Sequence, residues 1–410
     1  MLDQTNNLEN LLVMKINKIT ILLSLTISIL FAYCSPSEQK KANSLPTFDL
    51  TDLSKTSIVK LSDLNVKDID YIPLETSNTS LIKHTGKIIV SDSDIYVENY
   101  LMAILRFAKD GKLKNHIGKQ GRGPGEFNNT IDFAVDSLLG QVFILNGNRS
   151  NPKINVYTLS GDFIESFLIP KHIRHIARLN DMILGYRTNT KGIIDSSFVL
   201  INYSGHTIKE FPNRLPFNEV EVPRGFLNEI LQYNYNKKLY TKELCSDTVF
   251  VFENLNFKPA YILDFGKKLL SPEVRGGMNS FEDLIQVSTQ YCITRNLFET
   301  NKFIYTDFSC EEHHYAFISY KNKKECLLLN MDKGIENDID GGPNIWLKTA
   351  QDDSTIICWI NAFELKQYVH SDEFKNSAPK YPEKKKELEQ LANSLNENDN
   401  PVLILVKLKE

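Results

Sequence analysis

Short apolar runs broken by tight polar turns dominate the chain from residue 85 onward. Three stretches share one pattern: "ILRFAKDGKLKNHIG" (104–118), "INVYTLSGDFIESFLI" (154–169) and "FVLINYSGHTIKEF" (198–211). Each predicts a strand, a two-residue turn and a second strand. The turns are Asp110-Gly111, Ser160-Gly161 and Ser204-Gly205, where glycine supplies the positive φ that a hairpin needs. A further pair of short runs precedes each hairpin, such as "KIIVSDSDIYVEN" and "IDFAVDSLLGQVFILN". The repeating unit therefore carries four strands. Four strands in roughly 40–50 residues is the spacing of a propeller blade.

The unit degrades but continues through "KKLYTKELCSDTVFVFENLNFKPAYILDFG" (237–266), "KFIYTDFSCEEHHYAFISYKNKKECLLLNMDKG" (302–334) and "NIWLKTAQDDSTIICWINA" (344–362). The terminal run "NPVLILVKLK" (400–409) is strongly β in character and is expected to pair with a strand within residues 56–74, closing the ring. Two inserts read as helical, 271–289 and 363–396, the second with a charge run that suits a solvated face. The expected fold is all-β: a single six-bladed β-propeller over residues 46–410 with small helical insertions.

The first 45 residues have a different composition. From Met14, Lys15 and Lys18 precede an apolar stretch, Ile19 to Ala32, of secretory-signal length. Met14 is the expected start, residues 1–33 the signal peptide, and Cys34 a lipidation site followed by a polar tether to residue 45. The remaining cysteines, Cys245, Cys292, Cys310, Cys326 and Cys358, form no CxxC pair and predict no zinc site. Export permits a disulfide, and Cys310 and Cys326 could face each other across a hairpin, but buried free thiols in strands are the favoured reading. The net charge of −4 comes with no long basic run beside aromatic residues, which argues against a nucleic-acid partner.

"GKQGRGPGEF" (118–127) holds four glycines and a proline. A phosphate loop would need a helix after it, and the β-branched and aromatic run that follows has no helical stripe. The segment is expected to be a crossing between two blades. With "FAVD", "QVFILN" and "INVYTLSGDFIESF" behind it, it resembles the NHL-type propeller repeat. Together with "DYIPLET" (70–76), "LCSDTVFVF" (244–252), "YILDFG" (261–266) and "ENDIDGGPNIW" (336–346), the chain resembles the six-bladed propeller lipoproteins of some Gram-negative bacteria. That resemblance implies the fold, export and a lipid anchor in the outer membrane; it implies no activity.

Candidate chemistry falls at strand ends. Arg122 and Glu126 in the glycine-rich crossing either grip a ligand at the channel mouth or pair with each other. Arg149 sits in a polar loop (145–153). Tyr186 and Arg187, in "GYRTNT" (185–190), suit a sugar or peptide platform, a ring to stack and a guanidinium to fork. In "CEEHHY" (310–315), Glu312 and His314 would share a strand face and with a calcium or zinc ion form a metal site; Asp338 and Asp340 before two glycines partly resemble a calcium loop. Each of these three segments also reads as an ordinary loop or turn. Asp247 in "CSDT" is expected to make an Asx turn. No nucleophile elbow, no HExxH and no carboxylate pair whose spacing alone marks a general acid and base is present. The sequence thus points to a membrane-anchored envelope module that binds a glycan, peptide or protein, with a metal-dependent propeller lyase or hydrolase and a structural or signalling component as alternatives.

Overall fold

The computed structural model describes residues 45–99, 103–148, 150–221, 225–226 and 228–409. The signal segment, the tether, Cys34 and Arg149 lie outside them. Six four-stranded antiparallel sheets make up the propeller. Two strands precede the first full blade, β1 (Thr47–Asp49) and β2 (Val66–Pro73). Blade 1 is β3 (Thr85–Val90), β4 (Asp94–Asn99), β5 (Ile104–Ala108) and β6 (Leu113–Ile117). The crossing to blade 2 holds two short strands, β7 (Lys119–Gln120) and β8 (Glu126–Phe127). Blade 2 is β9 (Thr130–Asp136), β10 (Gln141–Asn148), β11 (Asn151–Thr158) and β12 (Phe163–Leu168). Blade 3 is β13 (Ile173–Leu179), β14 (Met182–Arg187), β15 (Ser196–Asn202) and β16 (Thr207–Pro212). Blade 4 is β17 (Ile230–Tyr235), β18 (Lys238–Glu243), β19 (Thr248–Glu253) and β20 (Asn256–Asp264). Blade 5 follows helices α1 (Pro272–Gly277) and α2 (Phe281–Gln290) and comprises β21 (Ile293–Glu299), β22 (Phe303–Cys310), β23 (His313–Tyr320) and β24 (Cys326–Asn330). Blade 6 takes β25 (Thr349–Ala350) and β26 (Thr355–Ile360), then α3 (Ala362–Val369), α4 (Asp372–Asn376) and α5 (Pro382–Ser394), and ends with β27 (Val402–Leu408).

The ring closes as the terminal run predicts. β2 pairs antiparallel with β27, so the first and last parts of the propeller share blade 6. Before it reaches that blade, the N-terminal segment runs along two others. β1 adds to β20 as a parallel fifth strand of blade 4, and Ser57 donates to the Leu328 carbonyl at the outer strand of blade 5. The segment is a belt over the rims of blades 4, 5 and 6.

The three hairpin glycines are needed twice over. Gly111, Gly161 and Gly205 have φ of +85°, +93° and +81°. A Cβ on them would also lie 2.1–2.3 Å from the carbonyl oxygens of Pro73, His116 and Leu168, each on the outer strand of the preceding blade. Turn geometry and blade-to-blade packing thus select the same residue.

Topology fixes one face as the elaborated one. In a four-stranded meander, the second-to-third loop and the crossing to the next blade both meet the end where the innermost strand starts. Helices α1 and α2 lie in the crossing from blade 4 to blade 5, and α3–α5 lie between the second and third strands of blade 6. Both inserts, the glycine-rich crossing and every candidate loop therefore belong to this face. Ser271 and Ser280 cap α1 and α2 by accepting from Val274 and Asp283 N–H.

One cysteine expectation is overturned. Cys310 is disulfide-bonded to Cys292, and Cys326 is exposed and free. Cys310 ends β22, whose other neighbour is β21; Ser309 faces Ile293 there, which brings Cys292 opposite Cys310. Cys326 pairs with Ser319 on β23 and is two strands away.

Candidate functional site

A small pocket of about 20 Å³, room for one water or one hydroxyl group, lies on the elaborated face between blades 3 and 4 and opens to solvent. Tyr186 comes from the end of β14, Asn189 from the loop after it and Ser197 from β15. Asn213, Leu215 and Phe217 come from the crossing, Glu243 from the end of β18, Leu244 and Cys245 from the turn after it, and Arg275 from α1. These segments converge because adjacent blades pack face to face. Ile230 and Leu239 of blade 4 pack with Leu184, Tyr186 and Phe198 of blade 3, which turns Glu243, of the same strand parity, toward Tyr186.

The charges around the pocket are compensated internally. Arg275, 4% exposed, forks onto Glu229 with Nη1–Oε2 at 2.8 Å and Nη2–Oε1 at 2.7 Å. Burial opposes the guanidinium charge, but the Glu229 carboxylate outweighs it and holds the arginine above its ordinary range. The same guanidinium lies over the rings of Phe217 and Phe226. Glu243 accepts from Arg214 at 2.9 Å, and Arg214 itself sits 3.7 Å from the Phe250 ring centre. Burial pushes the Cys245 thiol up to about 11. Burial, reinforced by Glu243 and Glu229, holds the Tyr186 phenol well above its usual value. Both side chains are neutral at physiological pH.

Polar groups without partners gather at this seam. Thr188 Oγ1, Asn189 Nδ2, Gln232 Nε2 and Thr241 Oγ1 are buried and have no hydrogen-bond partner among the described residues. Gln232 and Thr241 are cross-strand partners on β17 and β18, on the side of blade 4 that faces blade 3. Elsewhere the inner strands are tied blade to blade: Asp132 on β9 accepts from Lys87 at 2.8 Å and from Ile176 N–H at 2.8 Å, and Asn296 on β21 donates to the Leu347 carbonyl. Gln232 makes no such link. Asn189 is 7% exposed and lines the pocket. Its Oδ1 accepts from Gly192 N–H at 2.9 Å, which fixes the amide so that its NH2 group is the end left over. A buried donor in this state forfeits its hydration, so an occupant is worth seeking.

The remaining predicted residues are dispersed. Tyr186 lines the pocket, but its hydroxyl reaches the Glu229 carbonyl at 3.4 Å. Arg187, the next residue on the strand, faces away and is bound to Glu210 at 3.0 Å and to Ser196. The proposed stacking-and-forking platform is therefore split between two faces of β14. Arg122 and Glu126 form no mutual ion pair. Glu126 instead accepts from Gly123 N–H at 2.8 Å and pairs with Lys119 at 3.5 Å, while Arg122 is exposed. The crossing's own carboxylate thus occupies an N–H that a phosphate loop would offer.

Glu312 and His314 do not share a strand face. Glu311 and Glu312 have φ of 54° and 67° and form the β22–β23 turn, so alternation starts only at His313. His314 Nε2 lies 3.3 Å from Asp307. Asp338 accepts from the backbone and hydroxyl of Ser62, and Asp340, its carboxyl pushed up by burial, accepts from Asn337 and Gly342 N–H. Among the described residues no three His, Cys, Asp or Glu side chains are placed to hold a metal ion. The turn at 245–248 is made by the Ser246 hydroxyl, which accepts from Thr248 N–H, rather than by Asp247. Sequence reasoning missed Asn189, Glu229, Glu243 and Arg275; only the 185–190 segment was singled out, and there for its neighbours.

The chain belongs to the family described as domain of unknown function DUF4934, which it matches over residues 45–407. No curated protein matches it. Among solved structures it is similar to a Bacteroides fragilis protein whose name describes it as exported, with a TM-score of 0.67 and 18% identity over 84% of this chain and 95% of that one. It is also similar to a member of the DUF4221 family from Bacteroides vulgatus, with a TM-score of 0.51 and 10% identity over 87% of this chain and 99% of that one. At these identities the likeness carries the six-bladed propeller fold alone.

Proposed function

We propose that this chain is an exported binding module of the cell envelope, lipid-anchored through Cys34 to the outer membrane, that takes its ligand on the face bearing the helical inserts. The observation that carries the reading is the blade 3–4 pocket, where Asn189 presents a buried, unpartnered amide beside two internally compensated ion pairs. The signal-like segment ending at Cys34 and the exported Bacteroides neighbour support the location. A glycan, a peptide or an envelope protein is the class of partner.

Two measurements test it. Intact mass of protein from its native membrane is expected to fit a chain beginning at an acylated Cys34; an unmodified mass removes the anchor. Calorimetry against saccharides, peptides and envelope extracts is expected to find a ligand. A folded protein that binds nothing in that panel removes the binding module.

A further inference from the structure

We infer that the blade 3–4 pocket takes the hydroxyl-bearing edge of an uncharged saccharide. This rests on the binding-module reading above and adds the ligand class.

The argument begins with charge. An anionic group entering the pocket would meet Glu243, and a cationic group would meet Arg275. Each of these already holds a partner of opposite sign at 2.7–2.9 Å. An anionic ligand would have to displace Glu229 or Glu243 and leave that carboxylate buried without its arginine, and a cationic head brings only donors, which leaves the Asn189 amide unanswered. The titratable groups that face the site from the other elements, Tyr186 on β14 and the Cys245 thiol in the β18–β19 turn, are both neutral near pH 7. A neutral ligand is the one the electrostatics admit.

The polar inventory then narrows the group. Asn189 Nδ2 is a donor in need of an acceptor. Glu243 gives one carboxylate oxygen, Oε2, to Arg214, and its other oxygen accepts from no described residue. One hydroxyl both accepts and donates, so adjacent hydroxyls of a sugar answer both groups from one edge. A peptide carbonyl accepts only, and its N–H points the opposite way. Phe217, Leu215 and Leu244 supply the apolar part of the lining, and the space they leave admits a hydroxyl edge while the sugar ring stays outside.

The test uses the full mature chain, with calorimetry against neutral oligosaccharides, acidic oligosaccharides and uncharged peptides. Neutral oligosaccharides are expected to bind, with an affinity that does not change between pH 6 and 7, below the titration of neighbouring Lys242 at about 8. The Asn189→Ala variant should weaken them about tenfold. Glu243→Gln, which keeps the shape and removes the carboxylate, should weaken them as well. Thermal unfolding of each variant separates lost binding from lost folding. Because Glu243→Gln also releases Arg214, the Asn189 variant decides the case. Peptide or acidic-sugar binding that responds to Asn189→Ala overturns the saccharide and leaves the module standing. Saccharide binding indifferent to Asn189→Ala overturns the site. No binding by any class, with the fold intact, overturns the module reading beneath both.

Discussion

Lys242 lies on β18 one residue before Glu243, is 2% exposed, and has no hydrogen-bond or ion-pair partner among the described residues. Burial pushes its amine down to about 8, against the weaker pull of Cys245, Asp247 and Glu243. An unfolded lysine titrates near 10.4. Between these values the unfolded chain binds more protons than the folded one, so folding stability rises with pH from about 8 to about 10.4. Below about 8 the penalty is present in full. Lys242→Met, which keeps the length of the side chain and removes the charge, should therefore stabilise the protein at pH 7 by roughly 1–3 kcal/mol. The gain should shrink as pH rises toward 10. Urea midpoints of both proteins at pH 7 and pH 9.5 check it; parallel pH dependences would show that Lys242 carries no proton linkage. Nothing in "YTKELC" marked this lysine, because a strand pattern gives parity but not which side of a blade faces its neighbour. Arg275 was equally hidden: it stood unremarked in the first helical insert and is in fact the ion-pair partner of Glu229, a residue 46 positions earlier.

At the scale of elements, patterns set by local physics were legible. The hairpin turns, the strand alternation, both helical inserts and the closing strand all follow from period and turn chemistry, and all recur in the structure. Register was not legible, and register decides the cysteines. The sequence offered Cys310 and Cys326 across one hairpin. A bulge at Arg295 on β21 and the edge position of Cys292 set the pairing instead. The same limit removed the Glu312–His314 pair, because two left-handed turn residues interrupt the alternation that would have aligned them. The Cys292–Cys310 bridge closes a loop of 18 residues that contains the whole of β21. Replacing both cysteines by serine should lower stability by about 2–4 kcal/mol, since a bridge of this span restricts the unfolded chain. Denaturation of the variant and of the oxidised protein measures the difference. Identical midpoints would mean that the bridge is not formed in the isolated protein. Cys326→Ser, at an exposed free thiol, should shift nothing by more than about 0.5 kcal/mol.

The whole molecule depends on a join that no local segment contains. Blade 6 takes β25, β26 and β27 from the C-terminal part of the chain and β2 from residues 66–73. β27 is the inner partner of that join, hydrogen-bonded to β2 on one side and to β26 on the other. Ile404 sits in its middle, opposite Tyr71 and Cys358, and is 2% exposed. A proline there deletes a backbone donor within a strand paired on both sides, which costs about 3 kcal/mol or more. Loss of β27 would also uncover the apolar faces that blade 6 presents to blades 5 and 1, where Val406 packs with Ile356 and the blade 5 residues of one cluster and Leu403 and Leu405 pack with Val97 and Leu105 of the other. The damage is therefore not confined to one blade. Ile404→Val, which removes one methylene and keeps the backbone, should cost only about 1 kcal/mol. The expected outcome for Ile404→Pro is a urea midpoint far below that of Ile404→Val, with far-ultraviolet and near-ultraviolet signals lost together because the ring opens as a unit. A proline variant that unfolds at the same urea concentration as the valine variant would mean that the β2–β27 join does not hold the ring closed. In that case the belt along blades 4, 5 and 6 would have to supply the closure, and removing β1 would then be the disabling change.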